Sequence, residues 1–367
     1  MVMLILVFII ALASSSTAAN VFKVNGTSSF MVLASKLPAG GSSTYSFDRP
    51  MLLYVSRDDA NQAYDTNIRL IDEATGVRTN AWAAAQSNGA GGVKRPVFID
   101  GKKDITISNL NVHVFDDLAS PALFYFVDAT ANNAVYEVYD AAERRKVDPG
   151  SNASITLMNA LGMIAVYDFR FPEKSIIRIS AGGIGKIADD HFELLSVDDA
   201  ATDSASWLNA PIPLLTVSSS TTAGFHFSAS ARQAERSKAK VGSKTAVMSP
   251  GYPFDSIPSR DYKYGFAMEH DATIDVEYFG DIRLETCSLS VIGSDAKNRQ
   301  SFNKKLTITN WTTSPHNDTF HAVTVLVDIK HALGTPTGVL VRLVTSATSA
   351  MHYLFAAAVL LLCILLH

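Results

Sequence analysis

The alternation of apolar with polar residues is the feature that most constrains the fold of this chain. In ATIDVEY, residues 272–278, every second side chain from Ala272 to Tyr278 is apolar, and the residues between them are hydroxyl or acidic. DITISNLNVHV, residues 104–114, alternates in the same way on either side of a central break. Because successive side chains of a strand point to opposite faces, this period predicts strands with one buried face. Helical periodicity is scarce, so we expect an all-β chain.

The strand-like runs are short and rich in Val, Ile, Thr, Tyr and Phe, and turn residues separate them. This pattern is typical of antiparallel β-sandwiches. The segment PALFYFVDA, residues 121–129, is apolar almost throughout and predicts a central sandwich strand.

A Tyr-x-Phe pair recurs along the chain and predicts an internal repeat. The pairs are Tyr45/Phe47, Tyr167/Phe169 and Tyr264/Phe266, and strand-like runs follow each one. Their spacing of about 100 to 120 residues is the usual size of one sandwich domain. We therefore predict three tandem units, residues 20–133, 134–230 and 246–345, with the basic segment 231–245 as a linker.

The N-terminus has the pattern of a secretory signal. An apolar stretch runs from Val2 to Ala13, and the small residues Thr17 to Ala19 follow it. We expect residues 1–19 to be a signal peptide, cleaved after Ala19 or Ala18. The alternatives are a buried helix or an uncleaved anchor, but crossing a bilayer takes about 20 apolar residues.

The C-terminus has the pattern of a GPI-anchor signal. Small residues from Thr345 to Ala350 precede an apolar run from Tyr353 to Leu366, and no Lys or Arg follows Arg342. We expect residues 346–367 to be an attachment signal that is removed, with the lipid anchor on Ser346 or alternatively on Ser349. A short C-terminal membrane helix is the competing interpretation.

Sequons and cysteines bear on the compartment. The expected glycosylation sites are Asn25, Asn152, Asn310 and Asn317. The chain has two cysteines, and Cys363 would leave with the tail. Cys287 is then either a buried small apolar residue or one half of a bridge between chains.

One segment resembles the opening of a CUB domain. SPGYPFDSIPSRDYKYGF, residues 249–266, has the Ser-Pro-x-Tyr-Pro turn followed by an aromatic strand. YDTNIRLIDEATG from Tyr64, DDHFELLSVDD from Asp189 and TAGFHFSA from Thr222 are similar to other parts of that family. The resemblance implies CUB-like jelly-roll units on an extracellular protein. The two disulfides usual in CUB domains are missing, because only Cys287 falls near a family cysteine position and its partner is absent.

The resemblance also implies where calcium would bind. Some CUB domains hold the ion through the Asp of a Tyr-Asp motif together with acidic groups on neighbouring loops. Asp65 matches that position in the first unit, Asp190 in the second, and Ser288 stands near it in the third. Calcium takes six or more oxygen ligands, and each unit supplies one candidate, so no metal is assigned.

Motifs of catalysis find no support in the sequence. GGIGKI, residues 182–187, has Ile187 where a phosphate loop needs Ser or Thr, and there is no Gly-x-Ser-x-Gly or His-Glu-x-x-His motif. Two polar clusters, MEHDATID at residues 268–275 and HNDTFH at 316–321, are expected to be solvated loops rather than sites. The net charge of −4 without a strong basic face makes nucleic acid a poor partner.

These patterns predict an extracellular, GPI-anchored binding or adhesion protein with no catalysis and no cofactor. Its partners would be an extracellular protein or glycan ligand and the outer leaflet of the membrane. Two alternatives remain, a surface enzyme whose site is assembled from distant residues and a passive glycosylated coat protein.

Overall fold

The computed structural model describes residues 20–24, 29–37, 39–57, 62–85, 93–101, 103–111, 122–130, 137–141, 145–147, 154–170, 172, 174–183, 193–198, 206–220, 225–231, 238–250, 252, 262–282, 288–306, 309–310, 316–330 and 339–346. The chain divides into two compact bodies. The N-terminal body comprises Met1–Ser87 and Arg95–Asn132, and the C-terminal body comprises Asn88–Lys94 and Asn133–His367.

The N-terminal body is a sandwich of two sheets. One sheet has the strand order β1-β3-β8-β5-β6 and the other has the order β2-β9-β4-β7. Pairing is antiparallel except between β1 and β3. The strands are β1 (Asn20–Val24), β2 (Ser29–Leu33), β3 (Ser42–Phe47), β4 (Met51–Arg57), β5 (Ile68–Asp72), β6 (Arg78–Asn80), β7 (Val97–Ile99), β8 (Asp104–Asn109) and β9 (Ala122–Asp128), with helices α1 (Gln62–Thr66) and α2 (Ala81–Ala84) and a 3-10 turn (Ala34–Lys36).

The core of this body lies between its two sheets. Ile68 of β5 and Ile107 of β8 pack against Leu53 of β4 and Phe124 of β9. All seven residues of β9 are buried, and β9 lies between β2 and β4. The prediction of a central strand in PALFYFVDA is therefore confirmed.

The C-terminal body begins with a second set of nine strands. They are β10 (Glu137–Asp140), β11 (Arg145–Val147), β12 (Ser154–Met158), β13 (Ile164–Arg170), β14 (Ile176–Ala181), β15 (Glu193–Asp198), β16 (Trp207–Ala210), β17 (Leu214–Ser219) and β18 (His226–Ser230). One sheet has the order β10-β12-β17-β14-β15, and the other begins with β11-β18-β13-β16. Taken in chain order, β10 to β18 repeat the connectivity of β1 to β9, including the parallel first pair.

Matching side chains support this repeat. In the N-terminal body the hydroxyls of Thr44 on β3 and Thr106 on β8 are 2.7 Å apart and buried. The counterpart strands β12 and β17 place the hydroxyls of Thr156 and Thr216 2.9 Å apart in the same way. The sandwich is thus an internal repeat, and the all-β fold class of packed antiparallel sheets is confirmed.

The Tyr-x-Phe pairs do not mark equivalent strands. Tyr45 and Phe47 lie on β3, whereas Tyr167 and Phe169 lie on β13, which is the counterpart of β4. The aromatic pairs are buried in all three places, because aromatic residues fill any sandwich core. The first two sets of strands do form a repeat. The Tyr-x-Phe pair, however, falls on the third strand of the first set and on the fourth strand of the second set.

The last seven strands extend the sheet that begins with β11, instead of forming a separate sandwich. They are β19 (Lys244–Met248), β20 (Tyr262–Ile282), β21 (Ser288–Ser294), β22 (Gln300–Leu306), β23 (Thr309–Asn310), β24 (His316–Lys330) and β25 (Val339–Ser346). The sheet continues from β16 through β19-β25-β20-β24-β21-β22, and β23 pairs with β20. β19 joins by pairing in parallel with β16. The predicted second and third units therefore share one sheet.

This shared sheet has a core on each face. Val166 of β13 and Leu208 of β16 belong to the core between this sheet and the sheet β10-β12-β17-β14-β15. Ala165 and Trp207 belong to a second core, which includes residues of β20 and β24. Simple alternation would put Tyr167 and Phe169 on one face. Asp168 adopts a positive φ of 56° and the register with β18 shifts there, so the two aromatic side chains enter different cores.

A buried hydrogen-bonded cluster connects β20 with β16. The hydroxyl oxygen of Tyr264 accepts from Trp207 Nε1 at 2.7 Å and from Asn209 Nδ2 at 2.8 Å. Phe266 meets Trp207 edge to face at 5.9 Å. Since β19 and β25 lie between β16 and β20 in the sheet order, these contacts show that the sheet curls over the second core.

The segment predicted as a linker contributes to this body. Within its described part, Ala239 is buried and bridges to Met268, and Lys244 begins β19. Lys244 Nζ lies 2.9 Å from Asp198 Oδ2. Arg232 and Arg236 lie outside the described residues.

Replacing Tyr264 with Phe should destabilise the C-terminal body by about 3 kcal/mol, because it removes the acceptor of two buried donors. Urea unfolding followed by tryptophan fluorescence measures the change. Tyr139→Phe is the control, since its hydroxyl donates to the half-buried Glu137, which water can also reach. An equal effect of both substitutions would contradict the role given to Tyr264.

Candidate functional site

An apolar groove opens between the edges of the two sheets of the N-terminal body. β6 ends one sheet and β7 ends the other. The groove encloses about 290 Å³, and its floor is formed by core side chains that include Leu53, Leu70 and Ile105. This volume is close to the lower limit for small-molecule pockets and suits one large apolar group.

Short edge strands leave this groove open. β6 and β7 have three residues each, so they cover little of the core between the sheets. Val97 and Phe98 are 43% and 61% exposed, and Val77 on the opposite rim is 63% exposed. Val97 and Phe98 are consecutive and point to opposite faces, so β7 is open to solvent on both faces.

Two charged side chains line the groove, and both are engaged. Lys103 Nζ lies 3.6 Å from Asp72 Oδ2. Partial burial raises the pKa of the Asp72 carboxyl, but hydrogen bonds from Thr75 and Ala74 and the charge of Lys103 outweigh it and lower that pKa. The other lining residues are uncharged.

The candidate calcium ligand of the first predicted unit lies at another place in the same body. Asp65 is fully buried in α1. Beside it, Asn111 Nδ2 donates to the carbonyl of Tyr64 at 3.3 Å and to Asn109 Oδ1 at 3.0 Å, and Asn67 Nδ2 donates to Asn111 Oδ1 at 3.3 Å. Sequence reasoning did not find these amides, because their meeting depends on the pairing of β5 with β8.

Calcium binding remains a hypothesis, and the sequence assigned no metal site. In the described part of the chain, no three His, Cys, Asp or Glu side chains are grouped so that they could hold a metal ion. Asp190 and Cys287 lie outside the described residues, and Ser288 begins β21 in the C-terminal body.

The two polar clusters expected in loops lie on long strands. Glu269, His270 and Asp271 are exposed on β20, and the HNDTFH cluster forms the start of β24. The first cluster overlaps a register shift between β20 and β24, and exposed residues alternate with half-buried ones at the start of β24, so solvent reaches both clusters without a loop.

Within the second cluster, His316 and Asp318 meet a lysine. Lys304 Nζ lies 3.2 Å from His316 Nε2 and 3.3 Å from Asp318 Oδ1, and the ring of His316 is 5.7 Å from that of Tyr278. Burial, together with the charge of Asp318, raises the pKa of Tyr278. The hydroxyl of Tyr278 therefore stays protonated at neutral pH.

The predicted modification sites are partly described. Asn317 is exposed on β24, and Thr319 of its sequon is exposed as well. Asn310 lies in β23, but its side chain is not described, and Asn25 and Asn152 lie outside the described residues. Glycosylation at all four remains a prediction.

The predicted anchor residue ends the last strand. Ser346 is the final residue of β25, pairs with Thr273 and is half-buried. The signal peptide 1–19, Ser349 and the rest of the tail lie outside the described residues. Among the helices that the structure describes, none has the length and apolar character needed to cross a membrane.

The matched turn of the CUB resemblance is partly described. Ser249 is buried, its amide donates to the carbonyl of Val339 at 2.9 Å, and its hydroxyl accepts from the amide of Val339 at 3.0 Å. Tyr252 packs into the core beside Leu340. This turn therefore fixes the chain to the start of β25.

Comparison with known proteins gives a fold likeness only. No protein-family model matches the chain, and no curated protein matches its sequence. The chain is similar to the CUB1-EGF-CUB2 domains of rat MASP-1, with 8% identity and a TM-score of 0.22 over 57% of this chain and 99% of that one. The CUB1-EGF-CUB2 domain of human MASP-1/3 is 10% identical, with a TM-score of 0.23, and the match covers 87% of this chain and 100% of that one. The exported protein XepA is 8% identical to this chain, with a TM-score of 0.18, and the match covers 56% of this chain and 83% of that one. At these scores the likeness carries no argument.

Proposed function

We propose that this protein is an extracellular, GPI-anchored binding protein built of CUB-like sandwich units, without catalytic activity. It binds a protein ligand through the groove between β6 and β7. The term CUB-like refers to the predicted family. The turn at Ser249 and the sandwich architecture support that prediction.

The observation that carries this proposal is the open apolar groove with Phe98 at its rim. Phe98 lines the groove and is 61% exposed, and core residues form the groove floor. Aromatic anchors next to a desolvated pocket are typical of binding surfaces, where a few such residues supply most of the affinity. The groove offers few polar groups to a sugar, so its chemistry favours an apolar side chain of a protein over a glycan.

Features at both ends of the chain support the cell-surface location. The N-terminal apolar stretch and the exposed sequon at Asn317 are those of a secreted chain. Attachment of a lipid anchor at Ser346 would keep all of β25 in the mature protein. The anchor would then follow directly on the sheet of the C-terminal body.

The alternatives differ from this proposal in what they require. A surface enzyme needs convergent acid, base or nucleophilic groups, and the groove lining contains one carboxylate engaged by Lys103 and by its own turn. A passive coat protein would show no saturable binding. The binding proposal requires saturable binding that depends on the groove.

The anchor is tested by treating intact cells that express the full chain, tagged between Ala19 and Asn20, with phosphatidylinositol-specific phospholipase C. We expect release into the medium, and we expect the double substitution Ser346→Gln with Ser349→Gln to abolish it, because attachment needs small residues. The matched control, Ser346→Ala with Ser349→Ala, keeps small residues and should preserve release. Retention of all three proteins on the membrane, alongside a released control, would contradict the anchor.

The function is tested by measuring binding of the purified full-length protein to intact cells of the organism that encodes it. We expect saturable binding that weakens about tenfold in Phe98→Ser, since the loss of one buried aromatic contact is worth about 1.4 kcal/mol or more. Phe22→Ser is the control, because Phe22 is also exposed, at 48%, but lies on β1 at the far edge of the body. Absence of saturable binding, or equal effects of both substitutions, would refute the proposal.

A further inference from the structure

The internal repeat allows the edge that carries the groove to be compared with its counterpart. β7 closes the sheet β2-β9-β4-β7 of the N-terminal body, and β16 holds the same position in β11-β18-β13-β16. Among the described residues, no strand pairs with the outer edge of β7. The outer edge of β16 pairs with β19.

β19 covers β16 with backbone pairing. The two strands run parallel, with Trp207 opposite Thr245 and Leu208 opposite Ala246. The amide of Lys244 donates to Ser206 Oγ at 2.9 Å where the pairing begins. The backbone groups of β16 that would face solvent at an edge are thus turned towards another strand.

The side chains show the same contrast. Leu208 is 0% exposed and Asn209 is 1% exposed in the covered strand β16. In β7, Val97 is 43% exposed and Phe98 is 61% exposed. The two strands hold equivalent places in the sandwich. Their side chains differ in exposure because β19 and the strands that follow it cover β16.

The region between the sheet edges is also filled in one copy of the repeat and open in the other. In the C-terminal body, Ala246 and Met248 of β19 and Leu340 of β25 fill the core at the edges of β15 and β16. Arg342 of β25 adds a hydrogen bond from Nε to the carbonyl of Leu194 on β15, at 3.0 Å. In the N-terminal body the corresponding edges are β6 and β7, and the groove lies between them.

We propose that β7 binds an extended segment of a partner protein, which adds a strand to the sheet and inserts an apolar side chain into the groove. This inference rests on the proposed binding function and names the form of its ligand. The segment pairs with the open edge of β7 as β19 pairs with β16. Its alternate side chains face the groove side, as Ala246 and Met248 face their core, and one of them enters the groove. Phe98 contacts the segment from the rim.

This mode of recognition has a defined chemical signature. Backbone hydrogen bonds give an added strand its affinity, and alternate side chains give it specificity. Amides on only one edge of the bound segment face β7, so dependence on those amides has a period of two. A ligand that merely inserts a side chain into the groove has no such dependence.

The test uses short random peptides displayed on phage and selected on the full-length protein, which is purified in detergent and held by a tag between Ala19 and Asn20. We expect the selected peptides to share apolar residues at alternate positions. Each peptide is then synthesised, and its affinity is measured for the unchanged protein, for Phe98→Asp and for the control Phe22→Asp.

The expected result is binding at least about tenfold weaker to Phe98→Asp and unchanged to Phe22→Asp. Methylation of alternate backbone amides of the peptide should abolish binding in one register and spare it in the other. Selection of no peptide, peptides indifferent to Phe98→Asp, or binding without the alternating amide dependence would each overturn the inference. If cell binding still depended on Phe98 in that case, the proposed function would stand with a ligand of another form.

Discussion

The hydrogen-bonding groups at the edge of a β-sheet are the constraint on which this structure depends. A strand at the end of a sheet presents a row of amides and carbonyls that only water or another strand can satisfy. At β16 the chain supplies that other strand itself, and β19 leads the sheet on into β25, β20 and β24. The second core, the curl at Tyr264 and the fixed turn at Ser249 all involve the strands that this parallel pairing joins to β16. At the equivalent strand β7 the described chain supplies no such partner, and the groove lies there.

Much of the fold could be read from the sequence, because it depends on local periodicity. The alternation in ATIDVEY appears in the buried face of β20, and the continuous apolar run of PALFYFVDA becomes the fully buried β9. The spacing of the Tyr-x-Phe pairs predicted three repeated units, whereas the connectivity of β1 to β9 recurs once, in β10 to β18. The pairs do not align the two copies, because a Tyr-x-Phe pair marks any strand that enters a core, and here it falls on β3 in one body and on β13 in the other.

Features that depend on distant pairing escaped prediction. The sequence alone gave no sign that β19 would pair with β16, so residues 246–345 were expected to form a separate sandwich. The positive φ of Asp168, which sends Tyr167 and Phe169 into different cores, is set by the bulge opposite β18. Phe98 looks like any strand aromatic in the sequence. Its importance comes from exposure at an edge, and that is decided by which strand lies beside it.

The central claim is that the edge of β7 is open while the equivalent edge of β16 is closed by β19. Amide hydrogen exchange of the purified full-length protein, without added ligand, measures this difference directly. The account predicts that amides of Val97–Ile99 exchange much faster than those of Trp207 and Leu208, since only the latter two residues have strand partners on both sides. Equal and strong protection of both strands would show that β7 is covered, and would contradict the account.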